Sequence, residues 1–338
     1  MSELDHWHPV ALSSELGAKP LRADVCGQAL VLFRAGEGVG ALEDACAHRA
    51  FPLHRGRVEA GRVVCPYHGW RWDADGCGEC PATPRAKPRA TAFDCVERHG
   101  AVWVRRRGSE AAFPFLDVGG HTPAGTLRQR VKAPLELCLD NFIEVEHTPS
   151  VHAFLGYPAA RLADVECATT VTDDSVRVWN HGPQRPLPSL VRALFRIPDG
   201  AYFIDDWTTR FSPVHSVYEQ YFLDGPRGAT AGDALRIAVF FTPVSARETD
   251  LFVFVYTTAT RWEHSARAAL QLPLLRALVR LEVWRDSALL AQMKDAPLPL
   301  RGRALGRFDK ALVASRRLLE RIYRGRDECH LPVVDDPA

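Results

Sequence analysis

The sequence has no apolar run long enough to cross a bilayer and no excess of either charge. No uninterrupted apolar stretch reaches the about 18–20 residues that a membrane span needs, so no membrane association is expected. The N-terminus, MSELDHWHPV, lacks the apolar core of a secretory signal, which favours a cytoplasmic location. A formal net charge of +1 gives no electrostatic reason to expect a nucleic-acid partner.

Cysteine is too scarce for a disulfide-stapled scaffold, with nine residues in a chain of 338. In a reducing compartment, cysteines at metal-like spacing are better explained as ligands than as bridges. The apolar share of 46% and the length are sufficient for two domains with large cores.

Two parts of the chain differ in their residue patterns, and a proline-containing stretch from Phe113 to Pro123 separates them. Short β-prone runs with turn signals about every ten residues predict an all-β domain over 1–115. The remainder, 116–338, predicts an α+β domain. Its expected elements are a helical segment, a sheet and two further helices, at 135–156, 202–260, 265–294 and 308–324.

The clearest motif pairs Cys46 with His48 and Cys65 with His68, in the pattern C-x-H-x16-C-x2-H. Turn-forming residues flank both pairs, so two loop tips could each offer one thiolate and one imidazole. This set suits a [2Fe–2S] cluster with two Cys on one iron and two His on the other, which raises the reduction potential. Zinc also accepts Cys2His2, but zinc fingers use C-x2-4-C and H-x3-5-H rather than mixed pairs.

A C-x-x-C pair, Cys77 and Cys80, follows this motif. A second metal or redox site would need partner residues that the sequence does not offer nearby. Spare thiols in a turn are therefore the favoured interpretation.

A second candidate metal site begins at His147 and His152. On one continuous helix these side chains would point about 140° apart. Pro149 alters this, because it suits the first position of a new helix with Thr148 as its N-cap. The two imidazoles could then converge and, with one carboxylate, form the facial triad that binds Fe(II).

The carboxylate must come from far along the chain, and a helical stretch over 281–292 carries acids in an apolar context. Glu282 and Asp286 lie one turn apart on this stretch, and Asp295 follows it. A buried carboxylate is costly unless it meets a cation or metal. An exposed surface acid remains the alternative for each.

These motifs resemble those of the Rieske non-haem iron oxygenases. Cys-Ala-His-Arg from Cys46 and Cys-Pro-Tyr-His-Gly-Trp from Cys65 are similar to the two Rieske boxes, with Trp70 matching an aromatic residue that packs beside the second. The family pattern N-x-x-D-x-x-H-x4-H is matched by Asn141, Glu144, His147 and His152, with Glu in place of the usual Asp.

The resemblance implies a role for each matched residue. Cys46 and Cys65 would hold one cluster iron, and His48 and His68 the other. His147 and His152 would bind the mononuclear Fe(II), and Asn141 would lie near it. Asp286 becomes the favoured third ligand because its D-x5-Q spacing to Gln292 is similar to the family motif.

Glu144 takes the place of a carboxylate that, in the family, links a cluster histidine of one subunit to an iron-ligand histidine of the next. The longer Glu side chain changes that geometry. Some members that act on quaternary amines are similar in having Glu there, so a quaternary-amine substrate is an alternative.

The implied fold is an N-terminal all-β Rieske domain followed by a helix-grip catalytic domain, an antiparallel sheet with helices folded over it. The length resembles the short single-component monooxygenases, such as vanillate O-demethylase and dicamba monooxygenase. The resemblance then implies a homotrimer that uses O2 to hydroxylate or demethylate a small aromatic or polycyclic substrate. Electrons would come from NAD(P)H through a separate reductase or ferredoxin, since the chain has no reductase signature.

Several alternatives stay open at this point. The reaction could be desaturation or oxidative cyclisation, and the protein could be a Rieske electron carrier or a zinc-stabilised binding module. Four aromatic residues on predicted strands could line a substrate pocket or fill the sheet core, namely Trp207, Tyr218, Phe240 and Phe252.

Overall fold

The computed structural model describes residues 2–116, 118–258, 266–293 and 304–326. The chain divides into two compact units. The first comprises Met1–Pro114 together with the short segment Thr242–Asp250, and the second comprises Phe115–Phe241 and Leu251–Ala338.

The first unit is built from antiparallel strands, as the short β-prone runs predict. Their bounds are β1 His8–Leu12, β2 Leu21–Val25, β3 Gln28–Ala35, β4 Gly38–Glu43, β5 Arg57–Glu59, β6 Arg62–Val64, β7 Arg71–Trp72, β8 Gly78–Glu79, β9 Ala92–Arg98 and β10 Ala101–Arg106. A six-stranded sheet has the order β1-β10-β9-β4-β3-β2, and a four-stranded sheet has the order β5-β6-β7-β8. Buried Val, Leu and Phe side chains of the central strands form the core of the larger sheet.

The second unit contains a seven-stranded antiparallel sheet in the order β11-β17-β16-β15-β14-β13-β12. The strands are β11 Thr122–Val131, β12 Glu166–Val171, β13 Ser175–Pro183, β14 Tyr202–Phe211, β15 Val214–Leu223, β16 Thr230–Ser245 and β17 Glu248–Thr257. The helices are α1 Leu135–Asn141, α2 Thr148–Val151, α3 Ser189–Phe195, α4 Ala266–Leu290 and α5 Lys310–Leu318.

Helix α4 packs its apolar residues into the same core as the inner face of this sheet. Leu275, Val279 and Val283 of the helix are buried in one cluster with Phe203 and Trp207 of β14. Burial of this apolar surface against the sheet stabilises the long helix far more than its intrinsic propensity does. The expected all-β domain followed by an α+β domain with a large antiparallel sheet is confirmed.

The expected helical segment over 135–156 is interrupted, and one detail of the prediction is wrong. α1 ends at Asn141, and the next helix is a single turn that begins at Thr148 with His147 as its N-cap. Thr148 is thus the first helical residue rather than the cap, and Pro149 occupies the second position. The first turn tolerates proline because its backbone N–H groups have no intrahelical acceptor.

None of the helices in the described ranges is long and apolar enough to cross a membrane. The 25-residue α4 carries charged side chains among its apolar ones. Its apolar face contributes to the core of the second unit.

Candidate metal centres and the adjoining cavity

The two Cys-His loops of the first unit have the same backbone hydrogen-bond pattern. In each loop the cysteine N–H donates to the carbonyl five residues later, Cys46 to Phe51 at 2.9 Å and Cys65 to Trp70 at 2.8 Å. Each cysteine carbonyl accepts from the residue four positions later, Ala50 at 2.7 Å or Gly69 at 2.9 Å. Both acceptor turns need a positive φ, which is +53° at Ala50 and +73° at Gly69.

The loops bring their side chains together as the motif predicts. The rings of His48 and His68 lie with centroids 4.6 Å apart, and His48 stacks on Trp70 at 4.6 Å with planes 6° apart. Cys46 and Cys65 are buried, whereas His68 is exposed. The thiols therefore face the protein and one imidazole faces solvent, which is where an electron could enter or leave.

The donor set fits a two-iron cluster better than a single zinc ion. Four ligands of one tetrahedral zinc have donor atoms less than about 4 Å apart, given metal–ligand lengths of about 2.0–2.3 Å. Among the residues that the structure describes, only His147, His152 and Asp286 bring three such atoms within 4.8 Å of one another. No three donor atoms of the Cys-His set meet that limit, and a wider spacing is what two irons rather than one zinc would need.

Burial and missing partners also favour a metal at the first centre. Burial raises the pKa of the Cys46 thiol, so a thiolate there needs a compensating cation. The Nδ1 atom of His48 is buried and has no hydrogen-bond partner. A ligated iron would satisfy both groups.

The C-x-x-C pair takes no part in this group. Cys77 is exposed, Cys80 is buried, and neither forms a disulfide. The interpretation of these residues as spare thiols stays a prediction.

In the second unit, the one-turn helix α2 places the two histidines at its ends. His147 has helical backbone angles, while His152 at the other end is extended, with φ −84° and ψ 154°. The change of conformation turns both side chains to one side, with ring centroids 5.0 Å apart and planes at 83°. Gly156 lies against Thr148, the first residue of this helix. A Cβ at Gly156 would lie 2.8 Å from the hydroxyl oxygen of Thr148, and the backbone there has a positive φ of +109°, so only glycine fits.

Asp286 of α4 completes this group. Its Oδ1 lies 3.0 Å from Nε2 of His152 and 3.6 Å from Nε2 of His147. The side chain is only 4% exposed, and burial of a carboxylate is costly without a cation. Two imidazoles and one carboxylate on one side of a point are the donor set of a facial-triad iron site.

Glu144 supports His147 from behind. Its Oε1 contacts Nδ1 of His147, and its Oε2 accepts the backbone N–H of His147 at 3.2 Å as well as that of Glu146. Burial lowers the pKa of His147, but the Glu144 carboxylate outweighs this effect and holds the pKa above its usual value. The contact places the ring proton on Nδ1 and leaves Nε2 free toward Asp286.

The other two acids considered for the third ligand differ from Asp286. Glu282 accepts the backbone N–H groups of Ala153, at 3.0 Å, and Phe154, at 3.3 Å, so it anchors the chain that follows His152. Asp295 lies outside the described residues. Gln292, one end of the D-x5-Q spacing, is exposed, and its side-chain amide donates to the carbonyl of Ala288 at 3.0 Å.

A cavity of about 150 Å³ adjoins the triad, and its wall is mostly apolar. Asn141 lines it, and the Nδ2 atom of this residue is buried without a hydrogen-bond partner. Trp207 and Tyr218 line the cavity as well. Phe240 and Phe252 do not belong to its lining; Phe240 instead stacks on His215, with ring centroids 4.6 Å apart.

Sequence reasoning missed several polar residues of this cavity, among them Asp205 and Gln220. These two lie opposite each other on β14 and β15, and Gln220 Nε2 donates to Asp205 Oδ1 at 3.1 Å. Burial raises the pKa of Asp205 to about 7, although the bond from Gln220 opposes this. Asp205 alternates with Phe203 and Trp207 on one face of β14, and an acid between two aromatic residues of the same face was the signal available in the sequence.

Comparisons with known proteins agree with both centres. Residues 6–104 match the Rieske [2Fe-2S] domain, and residues 131–324 match the vanillate O-demethylase oxygenase C-terminal domain. A Rieske domain followed by a non-haem iron domain defines the class of Rieske oxygenases. The second match covers more than half of the chain, so the chain belongs to the Rieske oxygenases of the vanillate O-demethylase family.

Curated relatives match over parts of their length. The vanillate O-demethylase oxygenase subunit of Pseudomonas sp. (strain HR199 / DSM 7063) is 30% identical over 62% of this chain and 63% of its own length. Methylxanthine N1-demethylase NdmA of Pseudomonas putida is 32% identical over 43% of this chain and 46% of its own length. The chain thus spans less than two thirds of the length of these relatives.

Solved structures share the fold. Dicamba monooxygenase bound to 3,6-dichlorosalicylic acid superposes with a TM-score of 0.78 at 20% identity, over 95% of this chain and 97% of that one. NdmA with caffeine gives a TM-score of 0.72 at 22% identity, over 94% and 91%. The cofactors of this chain are therefore those of its family, a [2Fe–2S] cluster and Fe(II).

Proposed function

We propose that this chain is a terminal oxygenase that uses O2 and electrons from a separate donor to hydroxylate, or to O- or N-demethylate, a small aromatic or polycyclic compound. The observation that carries the proposal is the placement of the His147–His152–Asp286 triad against an apolar cavity. An electron carrier needs no such cavity, whereas an oxygenase must hold an organic substrate beside its metal.

In this proposal, Cys46, His48, Cys65 and His68 hold the [2Fe–2S] cluster. The triad of His147, His152 and Asp286 holds the Fe(II). When bound, the cluster would supply electrons one at a time, and the single iron would supply the O2 activation that monooxygenation requires.

The surrounding side chains prepare the site for substrate. Glu144 fixes the tautomer and ring orientation of His147 through Nδ1. Glu282 fixes the chain after His152 through two backbone N–H groups. Asn141 presents a buried amide N–H that a substrate or oxygen species could accept. The mostly apolar wall offers water few hydrogen-bond partners.

The proposal includes partners. Electrons come from NAD(P)H through a separate reductase or ferredoxin, and the family resemblance supports a homotrimer. We place the protein in the cytoplasm, a reducing compartment that suits its free cysteines. In such a trimer, Glu144 of one subunit would join the cluster histidine of the next subunit to His147. The exposure of His68 supports this proposal, because a cluster histidine that contacts Glu144 of another subunit must lie at the surface of its own subunit.

Iron content and product mass test the proposal together. The wild-type chain should hold three irons, and His147→Ala should hold two, because the cluster stays and the single iron leaves. With a surrogate reductase and a substrate panel, the wild type should add one oxygen or remove one methyl group, and His147→Ala should do neither. His121→Ala is the control, because His121 lies in the same unit and bonds to the carbonyl of Val118 instead.

The outcome separates the alternatives. Two irons in the wild type would indicate a Rieske electron carrier, and a colourless protein without iron would indicate a zinc module. A product that has lost two hydrogens would indicate desaturation or cyclisation. Oxygen-dependent turnover that survives His147→Ala would contradict the proposed site.

A further inference from the structure

One row of polar residues crosses the inner face of the second sheet. In the strand register, Asn180 of β13 lies opposite Asp205 of β14, which lies opposite Gln220 of β15. Directly opposite residues in antiparallel strands place their side chains on the same face. We call these three residues the polar row.

The rows on either side of it are apolar. On the same face, two residues away along each strand, the neighbours are Val178, Trp207 and Tyr218 in one direction and Gly182, Phe203 and Phe222 in the other. Asp205 and Gln220 line the cavity beside the triad together with the aromatic members of these rows. Asp205 and Gln220 therefore belong to the cavity wall, and Asn180 is buried next to Asp205, so solvation at the surface does not explain why these three positions are polar.

The hydrogen bonds within the polar row leave two amide oxygens without a donor. Gln220 Nε2 donates to Asp205 Oδ1 at 3.1 Å, and Asn180 Nδ2 donates to the carbonyl of Asp205 at 3.2 Å. With both amide nitrogens used, Oε1 of Gln220 and Oδ1 of Asn180 are buried without a partner. Buried acceptors without donors are costly, and a ligand that donates a hydrogen bond would remove that cost.

The other acids around the cavity already have partners. Glu144 contacts His147, Asp286 contacts both triad histidines, and Glu282 accepts backbone N–H groups. Asp233 pairs with Arg196 and Gln271. Among the described residues that line the cavity there is no Lys or Arg, so an anionic ligand would meet several carboxylates and no side chain with a permanent positive charge there.

We propose that Asp205 and Gln220 of the polar row form the specificity site of the cavity and bind a hydroxyl or amine N–H of an otherwise apolar, non-anionic substrate. The donor is held by Asp205 and Gln220, and the rest of the molecule lies between the aromatic rows. This assignment rests on the proposed oxygenase function in one respect only, that the ligand of the cavity is the substrate.

Binding of three matched compounds to the holoenzyme without O2 tests the proposal. A single aromatic ring suits a cavity of about 150 Å³, since engineered cavities of that size bind benzene. The probes are 4-propylphenol, which donates a hydrogen bond, 4-propylanisole, which does not, and 4-propylbenzoate, which is anionic. Titration calorimetry should show the phenol binding about 10-fold tighter than either of the others.

Two variants locate the effect. Gln220→Leu should bring the phenol and the anisole to within about 3-fold of each other. At about pH 8, where Asp205 is mostly ionised, Asp205→Asn should weaken binding of the phenol about 10-fold and strengthen binding of the benzoate by a similar factor, because a charged acceptor becomes neutral. Asp206→Asn is the matched control, since Asp206 is the next residue of the same strand and pairs with Arg177, at 2.9 Å, on the opposite face.

Each result decides between the alternatives. Equal binding of the three probes, preference for the benzoate, no binding of any probe, or unchanged selectivity in both variants overturns the proposal. If Asp205→Asn does not fold, the selectivity of Gln220→Leu still decides. Because binding is measured without turnover, correct selectivity without any O2-dependent product would reject the oxygenase function and keep the specificity site.

Discussion

The two candidate metal centres of this chain are assembled in opposite ways. The cluster ligands come from two loops of the first unit that are separated by 16 residues and share one hydrogen-bond pattern. The triad joins His152 to Asp286, which is 134 residues further along the chain. The first centre is thus a product of local backbone geometry, and the second depends on the packing of α4 against the segment around α2.

Their surroundings differ as well. His68 at the first centre is exposed, beside Tyr67, whose exposed fraction is 55%. Asp286 at the second is buried, and a mostly apolar cavity lies next to it. An exposed imidazole suits electron exchange with a partner, whereas a sheltered site suits chemistry on an organic molecule. The comparison leads to four predictions, from the largest expected effect to the smallest.

The largest effect is expected for Cys65→Ser, which removes a cluster ligand. The visible absorbance should disappear, and iron should fall from three to one per chain, because the triad does not share residues with the cluster. Cys77→Ser is the control and should keep all three irons, since Cys77 is exposed and outside the loops. Loss of iron from the control would mean that the C-x-x-C pair has a metal role.

The next effect separates the two acids of α4. Asp286→Asn should weaken binding of the single iron by more than about 10-fold. Loss of a group that only supports a metal ligand already costs about 10- to 100-fold, and Asp286 is proposed as a ligand itself. Glu282→Gln should keep the iron, because an amide oxygen can still accept from Ala153. Iron analysis after dialysis against a weak chelator measures both variants. The reverse order of losses would make Glu282 the ligand.

Glu144 should affect turnover more than metal content. In Glu144→Gln, the amide nitrogen would face the backbone N–H groups that Oε2 now accepts, so the orientation of His147 is disturbed. Turnover should fall about 10- to 100-fold with three irons retained, and Glu144→Asp should fall less because it keeps the charge. Glu146→Gln, at an exposed neighbour, should match the wild type. Full activity of Glu144→Gln would exclude a role for the carboxylate.

The smallest effect on the metal centres is expected from the last prediction, which concerns pH and one buried histidine in each unit, His8 in the first and His215 in the second. Burial lowers the pKa of both to about 4, from 6.5 in the unfolded chain. As the pH falls below 6.5, the unfolded chain takes up protons that the folded chain refuses, so stability falls until about pH 4, by up to about 3 kcal/mol per histidine. Urea unfolding at pH 7 and pH 4.5 should show a smaller difference for His215→Gln than for the wild type. An identical pH dependence in the variant would contradict the low pKa.

Much of the architecture can be predicted from the sequence, because strands, helices and turns depend on patterns of neighbouring residues. Short alternating runs with turns between them predict the strands of the first unit, and the apolar period over 265–294 predicts α4, observed at Ala266–Leu290. The break between His147 and His152 follows from Pro149, although the helix begins one residue earlier than expected. The Cys-His spacing predicts two loops that meet, and they do so with matching turns at Ala50 and Gly69.

Other features were decided only by tertiary structure. Asp286 and Glu282 are one turn apart on one helix, and no local pattern states which faces the histidines and which accepts backbone N–H groups. Asp205 and Gln220 meet because the register of β14 and β15 aligns them, and no pattern within either strand shows which residue of the other strand it will face. Sequence by itself determined which residues could bind metal, since that depends on donor atoms and short-range turns. The packing of distant elements decided which of them share a site, because only the folded sheet and helix bring their side chains within bonding distance.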